Sequence, residues 1–109
     1  SVLPDGRLDY ANQLWFDYIG LTIQEVNKQG WQAILHPQDV AVVNGAWRQA
    51  CRTKVANQLE IRFRRSDGTY RWFLSRVAPL KDANGEVLRW IGTGTDIDER
   101  KHYEASLQQ

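Results

Sequence analysis

Trp90-Ile91-Gly92-Thr93-Gly94-Thr95-Asp96-Ile97-Asp98-Glu99-Arg100-Lys101 changes its period halfway along. The first half alternates β-branched Ile91, Thr93 and Thr95 with Trp90, Gly92 and Gly94, the two-residue repeat of a strand. The second half carries a helix start, with Asp96 as N-cap and Glu99 three residues on to complete a capping box. No stop signal follows before Gln109. The expectation is a domain body over residues 1–96, with an N-terminal strand that is cut short, handing on to an output helix that begins over residues 97–109.

Working back from this stretch, two more strands come into view. Leu59, Ile61 and Phe63 alternate with Glu60, Arg62 and Arg64, giving one apolar and one charged face. Asp67-Gly68 reads as a hairpin turn and Tyr70–Pro79 as the return strand, with Phe73, Ser75 and Val77 on one face and Trp72, Leu74 and Arg76 on the other. Asp82–Gly85 supplies the turn into the last strand, Val87–Asp96. Consecutive hairpins cannot build a parallel sheet, so the fold class is α+β with an antiparallel sheet. Trp72, Leu74 and Ile91 fall on the face away from the helices, where only a partner chain or a flanking helix would cover them.

Helices precede the sheet. Asn12 caps a segment carrying Leu14, Trp15, Tyr18 and Ile19, and Gly20 stops it. Thr22 and Glu25 form a capping box for a second helix that runs out before Gly30. Pro37 and Asp39 suit the first turn of the longest helix, whose apolar stripe is Val40, Val43, Trp47, Ala50 and Cys51, the cysteine reading as a small core residue. At the front of the chain, Asp5-Gly6 is a tight turn between short strands at Val2-Leu3 and Leu8–Ala11.

Composition narrows the function classes. A chain of 109 residues holds one domain, and 42% hydrophobic with 25% charged residues is the balance of an ordinary globular one. A net charge of +1 makes no case for nucleic acid or a membrane surface. One cysteine excludes an intrachain disulfide and agrees with a cytoplasmic location, and two distant histidines give no metal set. No apolar run reaches membrane-spanning length. With no methionine in the chain, the expectation is that Ser1 is an internal position of a longer protein. No nucleophile joins His36 and Asp39, so no catalytic group is assigned. Arg62, Arg64, Arg65, Arg71 and Arg76 cluster beside Trp72, as in a single-strand nucleic-acid binder, but Glu60 and Asp67 interleave with them. Cross-strand pairing is the better reading.

Four motifs in order, His36-Pro37-Gln38-Asp39, Glu60-Ile61-Arg62, Asp67-Gly68-Thr69-Tyr70-Arg71-Trp72 and the opening stretch Trp90–Arg100, resemble the PAS sensor domains of bacterial signalling proteins. The resemblance is to the subgroup with an H-P-x-D turn and an R-W strand, and it covers nearly the whole chain. It implies a five-stranded antiparallel sheet with helices on one face, a central pocket, and a signal junction at Asp96, Ile97, Glu99 and Arg100. In that frame a ligand would lie against Phe63, Phe73, Ser75, Val77, Trp90, Gly92 and Gly94. The bland alternative is a core filled by Trp15, Trp31, Phe63, Phe73 and Trp90, and it is favoured because Ser75 is the one polar side chain on the inward sheet face.

No cofactor is required. Flavin is compatible with a Trp-rich pocket of this family. The light-oxygen-voltage branch needs a cysteine on the short helix before the long one, a segment that holds Trp31 and no cysteine, and no histidine sits on the long helix for haem. The resemblance implies a non-enzymatic sensor in a multidomain protein such as a histidine kinase or diguanylate cyclase, partnered by its own output domains and a small ligand. The alternative is a ligand-free homodimerising module using Trp72, Leu74 and Ile91. Arg100, Tyr103 and Leu107 form a thin seam on the output helix, like the start of a coiled coil.

Overall fold

The computed structural model describes residues 1–107. Gln108 and Gln109, the end of the expected output helix, lie outside the described residues. Strands β1 (Asn57–Arg64), β2 (Tyr70–Lys81) and β3 (Val87–Asp96) form an antiparallel sheet in the order β1-β2-β3. Helices α1 (Gln13–Ile19), α2 (Ile23–Gln29) and α3 (Val40–Thr53) precede it, and α4 (Asp98–Leu107) follows.

The turn chemistry explains the hairpins. Asp67 Oδ1 accepts from the Thr69 N–H and hydroxyl, and Gly68 takes the positive φ of 90° that the turn demands. Asp82 Oδ1 accepts from the N–H groups of Asn84 and Glu86 in the same manner. The resulting register sets Leu59 opposite Ser75, Ile61 opposite Phe73, Val77 opposite Gly92 and Ser75 opposite Gly94. Directly opposed residues share a face, so these positions form the inner face toward the helices.

The expected five strands are three. The N-terminal stretch contributes single bridges only, Val2 to Leu8 and Val2 to Trp90, the latter closed by two bonds of 2.8 and 2.7 Å. Leu8 extends no ladder because its N–H and C=O are both taken, at 2.8 Å each, by the side-chain amide of Asn27 on α2. A side chain from the helix layer has replaced a strand partner.

Caps delimit the helices. Asn12 accepts from Trp15 N–H at the start of α1, and Thr22 and Glu25 exchange both bonds of a capping box at α2. Gly20 ends α1 at φ 71°, and a Cβ there would lie 2.7 Å from Ser66 Cβ. Left-handed strain and this clash together predict that Gly20→Ala destabilises the fold by about 2 kcal/mol, measurable by urea unfolding. The core forms where Ile19, Val26, Ile34 and Leu35 meet Ile61, Phe63 and Trp90. On α3 the buried residue is Ala50. Cys51, expected beside it in the core, is exposed; it stands about 100° around the helix from Ala50.

Candidate functional site

The passage from β3 to α4 is built around one residue. Ile97, buried at 8% exposure, donates its N–H to Trp72 O at 2.9 Å as though it were still sheet. Its carbonyl accepts the first intrahelical bond, from Lys101 N–H, also at 2.9 Å. Ile97, one residue past β3, is therefore bonded to the sheet and to the helix at once. The expected capping box from Asp96 to Glu99 moves accordingly: α4 opens at Asp98, and Asp96 Oδ1 accepts from the Asp98 N–H at 2.9 Å.

Acidic and basic groups converge on this hinge. Arg71 Nε donates to Asp96 Oδ2 at 2.7 Å, with Nη2 at 3.4 Å from Oδ1 and Nη1 at 3.8 Å from Asp98 Oδ2. Burial opposes the charge on Asp96. The bonds from Arg71 and the Asp98 N–H outweigh it and hold the carboxyl below the usual aspartate range. Asp98 is itself buried; Oδ1 accepts from Trp72 N–H at 3.0 Å and Oδ2 lies 3.1 Å from His102 Nε2. A polar open cleft of about 410 Å³ lies here, lined by Arg71, Asp96, Ile97, Glu99 and Arg100. The four junction residues are thus brought together. Arg71 and Asp98 join them, the second aspartate two residues after Asp96 being a visible signal.

On the outer face Trp72 is half-buried, not bare. Arg62 Cζ and Lys101 Nζ each lie 4.6 Å from its ring centroid. Glu60 was expected to pair across strands with arginines. Its partners are instead on α4, Arg100 Nη2 at 2.7 Å and Lys101 Nζ at 2.9 Å, and bonding by Lys101 chiefly lowers the Glu60 pKa. Of the three face residues, Leu74 is half-buried and Ile91 is 43% exposed.

The seven pocket candidates share the inner face but occupy different surroundings. Phe63 and Trp90 are buried in the core, Phe73, Ser75 and Val77 are half-buried, and Gly92 and Gly94 are exposed. Aromatic rings fill one end: Phe63 and Phe73 stand 5.4 Å apart, with Tyr18 5.3 Å from Phe73 and Trp15 6.4 Å from Phe63. The Tyr18 hydroxyl donates to Phe63 O at 3.1 Å, and burial pushes its pKa up to about 12. Trp47 closes on Trp90 at 5.5 Å at the other end. A Cβ on Gly92 or Gly94 would touch only β2, at 3.8 Å from Val77 Cγ1 and 3.7 Å from Phe73 Cδ1. The glycines therefore form an open floor between two aromatic clusters. Among the described residues no group of three or more His, Cys, Asp or Glu is placed to hold a metal ion.

The sequence profile of the PAS fold matches residues 8–94. The chain belongs to the PAS-fold family. This PAS domain is 34% identical over 104 residues to the peroxide stress-activated histidine kinase mak1 of Schizosaccharomyces pombe, covering 95% of this chain and 6% of that protein. A sensory box histidine kinase/response regulator from Burkholderia thailandensis has a similar structure, with a TM-score of 0.61 and 32% identity over 69% of this chain and 57% of that one. An RNA-binding light-oxygen-voltage receptor superposes with a TM-score of 0.76 and 26% identity, over 97% of this chain and 30% of that one. The chain thus spans only a small part of the curated relatives it matches, 13% of one and 6% of another. No helix among the described residues is long and apolar enough to cross a membrane.

Proposed function

We propose that this PAS domain is a non-enzymatic sensory module of a multidomain bacterial signal-transduction protein in the cytoplasm, a histidine kinase or diguanylate cyclase, that passes its state to the output domain through α4. The observation that carries the proposal is the double bonding of Ile97, which leaves no slack between sheet and helix. A change in sheet geometry at Trp72 must then be taken up by the first turn of α4. The likeness to two histidine kinases supports the choice of output. Phe73, Ser75, Val77, Gly92 and Gly94 offer a ligand an apolar floor with one hydroxyl, suited to a flat, largely apolar small molecule. Binding there would favour one junction geometry over another and so shift the population of output states.

A structural role in homodimerisation is the second reading, favoured by Ile91, which is 43% exposed opposite Ala78 on the same outer face as Leu74 and Trp72. Native mass spectrometry of the purified domain separates the two. A retained small molecule is the expected result. A concentration-dependent dimer carrying none would transfer the assignment to the structural role.

A further inference from the structure

The helix layer and the outer sheet face lie on opposite sides of the sheet, yet one run of side chains joins them around its edge. β1 is an edge strand, and the Arg62 N–H, which no strand pairs, donates to Asp39 Oδ2 at 2.8 Å. Asp39 sits at the entry to α3, and its side chain is only 12% exposed. The same carboxylate holds the Arg62 side chain, with Nε 3.1 Å from Oδ2 and Nη2 2.7 Å from Oδ1. This bidentate grip fixes the plane of the guanidinium as well as its position. The guanidinium in turn lies on the Trp72 ring, and Lys101 of α4 lies at the same ring. Arg62 and Lys101 are only 21% and 26% exposed, so both cations are partly stripped of water, where attraction to an indole ring is strongest.

Two further ties stiffen the ends of the run. His36 N–H donates to Arg62 O at 3.0 Å, which joins the turn before α3 to β1. Trp72 is bonded through its own backbone to Asp98 and Ile97 at the hinge. We infer that Asp39, Arg62, Trp72 and Lys101 form a coupling path by which a displacement of the α3 N-terminus alters the docking of α4. It rests on the reading of α4 as the output helix but works without any change in the strands themselves. When Asp39 moves, the guanidinium turns with it, the indole loses one of its two cations, and the seat of Lys101 changes.

Amide hydrogen exchange on the purified domain tests this. Arg62→Lys keeps a charge for Asp39 but loses the planar fork and the stacking. Amides of α4, Lys101 N–H among them, should exchange about two- to fivefold faster, while those of α2 do not change. In a Lys101→Met background the same Arg62→Lys change should add nothing. Three results overturn the path: unaltered α4 exchange, acceleration spread equally over α2 and α4, or an Arg62→Lys effect undiminished by Lys101→Met. Since no output domain takes part, such a result leaves the signalling role standing. Loss of that role in a full-length assay would likewise leave the path standing.

Discussion

Asp39→Ala should cost the fold about 3 kcal/mol, the low end of the penalty for removing one partner of a buried ion pair, because Arg62 keeps 21% of its side chain exposed. Three donors of Arg62, the backbone N–H, Nε and Nη2, lose their acceptor together. Only the 3.4 Å contact from Nη2 to Gln38 Oε1 remains. Set against a typical domain stability of about 5–15 kcal/mol, the loss is large enough to lower the urea midpoint by about a fifth or more. A loss under about 1 kcal/mol would show that the pair behaves as an exposed one.

The same group sets an acid limb. Burial disfavours the Asp39 charge, but the bonds from Arg62 prevail and the folded pKa lies below the usual value. Below about pH 4 the unfolded chain therefore binds more protons than the folded one. The stability that Asp39 supplies is complete above that pH and is lost as pH falls through its lowered folded pKa. Asp96 acts in the same direction. Asp39→Ala should flatten the acid limb of the stability curve without abolishing it.

What the sequence disclosed was what is decided locally. Asn12, Gly20, the Thr22–Glu25 box and the turns at Asp67 and Asp82 act within a few residues of themselves, and each does what its residue type dictates. Alternation along β1 and β2 likewise assigned the inner and outer faces. The misread features depend on partners distant in the chain. Leu8 fails to extend a sheet because Asn27, 19 residues on, occupies its backbone. Glu60 looks across the strands in sequence but reaches α4, 40 and 41 residues away. The start of α4 shifts because Trp72 claims the Ile97 N–H for the sheet. Asp39 was read as a helix-start acid, and nothing near it announces that its main partner is Arg62.

Asp96→Ala should do little to stability and much to output. Its side chain is 42% exposed, so losing the pair with Arg71 should cost no more than about 1 kcal/mol. At the hinge the loss is specific: the Asp98 N–H loses its acceptor and Arg71 is left facing Asp98 alone. The first turn of α4 would lose one of the ties that set its orientation, with the Ile97 bonds and that from Trp72 N–H to Asp98 remaining. Asp96→Asn keeps an oxygen for the Asp98 N–H but not the charge, and should fall between the two.

The direct test is the signal-dependent activity of a full-length protein carrying this domain, compared between wild type and Asp96→Ala at matched unfolding midpoints. Output that no longer responds, fixed high or low, is the result this junction predicts. A response of unchanged amplitude in a folded Asp96→Ala protein would contradict it.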